Sequence, residues 1–185
     1  MERIKLLALS GSLRKASHNT AAIRALKILA PAHVELTIGS ISDLPLFNPD
    51  LEGECIPALK QLVHALETAD GLVIASPEYA HGISGPMKNT LDWLVGGVEF
   101  PAIPIMLINT SPRASHAQNA LREVLTTMSG DIIERSCISV PLLSSELDAE
   151  GIAGHKEISG SLKAGLAAFC EAIQNMSTQT RMQPQ

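Results

Sequence analysis

Short apolar runs of strand length alternate with helix-patterned segments along this 185-residue chain, and that alternation limits its fold more than any other feature. Residues 6–9 are an apolar run, and residues 21–29 are rich in strong helix formers. Residues 33–38 alternate as a second strand after Pro31. Pro57 opens a helix over 58–68, with Leu59, Leu62, Val63 and Leu66 at helical spacing. Residues 71–75 form a continuous apolar run of the kind that parallel sheets bury on both faces. A helix is expected from Pro86 through Leu94, a fourth strand over 104–108, and a further helix to about Met128. Residues 130–133 and 137–140 read together as the fifth strand, and 158–175 as a closing helix. The pattern predicts one α/β domain over 1–176, an open five-stranded parallel sheet with helices on both faces, and a flexible tail over 177–185. Ligands of such sheets sit beyond the carboxyl ends of the strands. Polar loops follow the first, third and fourth strands, so a single shared site is expected.

The first of these loops carries the most chemistry. It runs through Ser10, Gly11, Ser12, Leu13, Arg14, Lys15, Ala16, Ser17, His18, Asn19 and Thr20. A strand feeding a polar turn and then a helix leaves free N–H groups and partial positive charge at the helix start, which favours an anion. Gly11 can take positive φ and let the backbone approach a ligand closely. Ser12, Ser17 and Thr20 supply hydroxyls, Asn19 an amide, and Arg14 a forked, permanently charged donor. The alternative is a helix capped by Ser17 with nothing bound. The loop is longer than the 2–6 residues usual for a βα turn, and it holds more hydroxyls than one cap needs. No Gly-x-Gly-x-x-Gly and no Gly-Lys-Ser/Thr is present, which disfavours a dinucleotide and an ATP or GTP P-loop. A mononucleotide-like phosphate remains.

Composition narrows the function classes. The net charge of −5 has the wrong sign for nucleic acid. No apolar run approaches the length of a membrane span, and the N-terminus leads directly into the first strand, which leaves no room for a signal peptide. Cys55, Cys137 and Cys170 are odd in number and widely spaced, so neither a disulfide framework nor a zinc site is indicated and a cytoplasmic location is expected. The six histidines form no pair at ligand spacing.

The second loop reads Ser76-Pro77-Glu78-Tyr79-Ala80-His81-Gly82-Ile83-Ser84-Gly85 and continues into Pro86-Met87-Lys88-Asn89-Thr90-Leu91-Asp92-Trp93. A planar ring ligand needs a flat, mostly apolar slot with backbone groups aimed at its polar edge. Pro77 stiffens the loop, and Gly82 and Gly85 allow close approach. This stretch resembles the Pro-Glu-Tyr-Asn…Gly…Leu-Lys-Asn…Asp-Trp signature of the NAD(P)H-dependent FMN reductases. Gly11-Ser12-Leu13-Arg14, with Ser17 and Asn19, is similar to the same family's phosphate loop. The resemblance implies a flavodoxin-like fold that binds FMN, takes hydride from NADH or NADPH, and has relatives that reduce flavins, quinones, azo dyes or chromate. By position, Ser12, Arg14, Ser17, Asn19 and Thr20 would hold the FMN phosphate, with Ser10 and Leu13 in the same loop. Pro77, Glu78, Tyr79, Ala80, His81 and Gly82 would border the isoalloxazine, and Ser111 of the third loop, residues 109–116, would reach its edge. Ala80 departs from the family's Asn, and the third loop has no glycines. Arg113 is either a solvated cation or a partner for negative charge on reduced flavin or a nicotinamide-cofactor phosphate.

No protein acid or base is required if FMN is bound, so no catalytic side chain is assigned. The competing reading is a flavodoxin-type electron carrier that does not oxidise NAD(P)H. A hydrolase using Ser76 or Ser84 with His81 and Asp92 is disfavoured, because no Gly-x-Ser-x-Gly elbow is present. The resemblance also implies a homodimer or homotetramer. Lys88 and Asp92 are expected as a helical ion pair and Trp93 as an interface anchor. Leu44, Leu46, Phe47 and Leu51, in the loop over 41–54, pack either on another body or on the chain's own core.

Overall fold

The structure is a computed structural model that describes residues 3–113 and 115–182; Met1, Glu2, Ala114 and the last three positions of the expected tail lie outside the described residues. Five parallel pairings build the sheet. Strand β1 (Ile4–Ser10) sits between β2 (Val34–Gly39) and β3 (Gly71–Ala75), and β3 pairs with β6 (Pro104–Asn109). The far edge is a broken strand: β7 (Asp131–Ile132) and β8 (Ile138–Ser139) both pair with β6, separated by one 3-10 turn over Glu134–Ser136. The order β2-β1-β3-β6-β7 is the doubly wound, flavodoxin-like arrangement, in which the chain reverses its direction of travel across the sheet between β1 and β3.

Alternate side chains of each strand feed two cores. Leu6, Ala8, Val73, Ala75, Met106 and Ile108 pack with α1 (His18–Leu29), α5 (Ala149–Gly154) and α6 (Lys156–Met182). Leu7, Leu9, Leu72, Ile74, Ile105 and Leu107 pack on the other face with α2 (Pro57–Glu67), α3 (Gly85–Leu94) and α4 (Ser115–Thr127). Burial on both faces is why the strands read as unbroken apolar runs.

Several boundaries differ from the sequence expectation. Helix α1 starts at His18 because Ser17 caps it, accepting from Thr20 N at 3.3 Å, so Asn19 and Thr20 belong to the first turn and the loop proper is 11–17. Helix α5 was not foreseen; its glycines weaken the helical pattern, but Asp148 caps it by accepting from Gly151 N at 2.8 Å. Helix α6 continues to Met182, so residues 177–182 are helical where a flexible tail was expected. The second loop contains an antiparallel hairpin, β4 (Glu78–Tyr79) with β5 (Gly82–Ile83). Trp93 is buried within its own chain. Its Nε1 donates to Pro45 O at 2.8 Å, and its ring meets Phe47 edge-on at 5.1 Å, which corrects its expected role as an interface anchor. The Lys88–Asp92 helical pair forms. Among the described residues no helix is long and apolar enough to cross a membrane.

Candidate functional site

The three polar loops converge at the carboxyl ends of β1, β3 and β6 on one cleft of about 190 Å³. One wall comes from the first loop and the start of α1: Ser12, Arg14, Ala16, Ser17, His18 and Asn19. Ser76, Pro77, Glu78 and Tyr79 form the second, and Asn109, Thr110, Ser111 and Leu143 the third. Of the residues singled out by sequence, Ser12, Arg14, Ser17, Asn19, Pro77, Glu78, Tyr79 and Ser111 line this cleft together. Ser10, Leu13, Thr20, Ala80, His81 and Gly82 lie around it without lining it.

Hydrogen bonds between loops fix the shape. Ser10 Oγ and Thr20 Oγ1 share a 2.8 Å bond, which ties the end of β1 to the first turn of α1. Ser12 is held from both sides, its N donating to Ser10 Oγ at 3.3 Å and its Oγ accepting from Arg14 N at 3.4 Å. Thr110 Oγ1 donates to Asn19 Oδ1 at 3.1 Å, joining the third loop to α1 with both residues buried. Ser84, fully buried, donates to Gly11 O at 2.6 Å, lies 3.4 Å from Ser76 Oγ, and caps α3 by accepting from Met87 N. These serines are occupied in holding the loops together, not arranged as nucleophiles.

Gly11 is needed for space and does not use the positive φ open to glycine. Among the described glycines only Gly53 has positive φ, at 86°. A Cβ on Gly11 would stand 2.4 Å from Ser76 Oγ and 2.9 Å from Ser84 Oγ. The neighbour that closes in on it is the second loop.

Positive φ appears instead at Ala80 (48°) and His81 (60°), the two turn residues of the β4–β5 hairpin. Such turns favour Asn-Gly, and each ordinary L-residue held there costs about 1–2 kcal/mol. This explains why the hairpin was not legible: the residues at its tip are not turn formers. Glu78 at its base turns its carboxylate to the start of α4, accepting from Ala117 N at 2.8 Å, so its negative charge meets the positive end of that helix.

The lining divides by loop. At the α1 end stand the Arg14 guanidinium, the hydroxyls of Ser12 and Ser17 and the Asn19 side chain. The first-turn amides of His18 and Asn19 have no intrahelical carbonyl to bind. The second loop contributes Pro77 and the half-exposed Tyr79 ring, with Ser76 and Glu78, and Leu143 follows Leu142, whose N donates to Thr110 O at 3.1 Å. Anion donors from the first loop and an aromatic ring from the second match a phosphate linked to an aromatic ring system, so the residues present fit FMN. Leu143 was missed by sequence reasoning. It follows β8, and the carboxyl-end rule applied to the fifth strand would have found it. Elsewhere, burial pushes the thiols of Cys137 and Cys170 above their ordinary value of 9.0, and neither lines the cleft.

Comparison with known proteins agrees with this geometry. Residues 4–141 match the family model described as NADPH-dependent FMN reductase. A quinone reductase of Escherichia coli (strain K12) is 31% identical over 187 residues, covering 95% of this chain and 98% of its own. An NAD(P)H-dependent FMN reductase of Pseudomonas aeruginosa is 30% identical over 154 residues, covering 80% of this chain and 83% of its own. Among solved structures, the flavoenzyme NAD(P)H:(acceptor) oxidoreductase FerB of Paracoccus denitrificans superposes with a TM-score of 0.78 at 26% identity, covering 93% of this chain and 98% of its own. With three loops meeting on one cleft at the β1–β3 switch point, the chain belongs to the NADPH-dependent FMN reductase family of FMN-dependent oxidoreductases.

Proposed function

We propose that this protein binds FMN in the cleft and passes hydride from NADH or NADPH through it to a small acceptor, a flavin or a quinone. The observation that carries this reading is that first-loop anion donors (Arg14, Ser12, Ser17, Asn19) and the Pro77 and Tyr79 rings of the second loop line one cleft of a family member. Bound FMN would supply the hydride chemistry itself. The chain's own residues bind and orient it. Arg14, Ser12, Ser17 and the Asn19 side chain, with the amides of the first turn, hold the phosphate by charge-assisted hydrogen bonds. Ser10, Leu13 and Thr20 shape the loop that carries those donors. Pro77, Tyr79 and the backbone of Glu78, Ala80, His81 and Gly82 border the ring, and Ser111 lies by its edge. The quinone reductase relatives favour a quinone acceptor.

A cleft of about 190 Å³ is smaller than the roughly 300–1,000 Å³ usual for ligand sites, so the ring would extend across an open mouth. A second copy of the chain would cover it. Leu46, which follows Pro45 in the chain, and Val95 and Val98, which follow Trp93, are strongly exposed apolar side chains and supply surface for a homodimer or a dimer of dimers. The three free thiols fit a reducing, cytoplasmic setting.

The test is to load the protein with FMN, desalt it and add NADH or NADPH anaerobically. Bleaching of the retained flavin band, with recovery on adding a quinone, is expected. Retained flavin that neither nucleotide bleaches would favour an electron carrier.

A further inference from the structure

The turn at residues 80–81 sits in a backbone conformation its own residues disfavour, with φ of 48° at Ala80 and 60° at His81. Strained turns of this kind persist only where their surroundings over-determine them. Two contacts do so here, and both reach the first turn of α4. The base of the hairpin is fixed by Glu78 Oε2, which accepts from Ala117 N at 2.8 Å. Its tip is fixed by the His81 ring, which lies flat on His116 with centroids 4.4 Å apart and planes inclined by 8°. His116 and Ala117 are neighbours, the second and third residues of the helix. Neither histidine lines the cleft, yet between them they set where the backbone of residues 80–82 stands relative to it.

We infer that His116 is a positioning residue: its stack with His81 clamps the hairpin tip to α4 in the shape that receives the cofactor ring. What the clamp needs at position 116 is a flat aromatic ring against His81.

The test compares wild type, His116→Ala and His116→Phe, reading FMN affinity from flavin fluorescence. His116→Ala is expected to bind FMN more weakly than wild type. His116→Phe keeps an aromatic ring against His81, so it should restore affinity to within about twofold. Equal affinity of wild type and His116→Ala, or no recovery in His116→Phe, would overturn the inference. This arm rests on the FMN reading, and a second does not. In the cofactor-free protein, amide exchange at residues 80–82 should quicken in His116→Ala and return in His116→Phe. That pattern without FMN binding by any of the three proteins would fault the cofactor assignment and uphold the clamp. Unchanged protection in His116→Ala would refute it.

Discussion

Replacing Gly11 by alanine should damage this protein more than any other single methyl addition in the first loop. The added Cβ would stand 2.4 Å from Ser76 Oγ, 2.9 Å from Ser76 Cβ and 2.9 Å from Ser84 Oγ. Neither serine can swing away cheaply: both are buried, and Ser84 Oγ holds Gly11 O at 2.6 Å and Met87 N at 3.4 Å. Relief therefore requires the first and second loops to separate. Overpacking of this sort costs about 1–3 kcal/mol, and loss of the buried Ser84–Gly11 bond about 1–3 kcal/mol more. A destabilisation of about 2–6 kcal/mol is expected, measured by denaturant unfolding of the cofactor-free protein. The cause is isolated by a double-mutant cycle with Ser76→Gly, which removes two of the three close contacts. A coupling of about 1 kcal/mol or more is expected for such neighbours. Gly11→Ala within about 0.5 kcal/mol of wild type, or a strictly additive cycle, would refute the reasoning.

Ala80→Asn places a residue tolerant of the left-handed region at φ 48°. It should stabilise the chain by about 0.5–1 kcal/mol and raise the melting temperature by about 1–4 °C; a lower melting temperature would contradict the strain assigned to the turn. Burial holds the Cys137 and Cys170 thiols above 9.0 in the folded chain, so the unfolded chain loses those protons first. Stability should be intact below about pH 9 and fall as pH rises past it, a loss that denaturant midpoints at pH 8 and 10 would register and that Cys137→Ala should lessen. Among the thiols, exposed Cys55 should react first with a thiol reagent, with Cys137 and Cys170 following only slowly.

The sheet was legible because a parallel strand buried on both faces writes itself as an apolar run, as residues 71–75 and 105–108 do. The site followed from the strand ends, since loops after β1, β3 and β6 must meet once the order is doubly wound. What escaped depended on tertiary contacts that override local preference. Ala80 and His81 have no turn propensity, and their hairpin stands because Glu78 and His116 tie it to α4. Gly11 looked like a conformational glycine, but it is a steric one, and only the approach of Ser76 reveals that. Trp93 and Phe47 carried an apolar signal that could not say which body they cover; Asn89 and Trp93 donate to Pro45 O, and Asn89 accepts from Phe47 N, which turns them inward. Helix α5 hid behind its two glycines, with the Asp148 cap as the only local sign of it.

The central claim is that the Ser12–Asn19 loop and the start of α1 hold a phosphate attached to a flavin. Comparing the affinities of FMN and riboflavin for the cofactor-free protein tests it most directly, because the two ligands differ only in that group. A single hydrogen bond to a charged group is worth about 1.5–3 kcal/mol, so FMN should bind at least about tenfold more tightly. Arg14→Ala should erase much of that difference while leaving riboflavin binding nearly unchanged. Equal affinity for the two flavins in the wild-type protein would contradict the account.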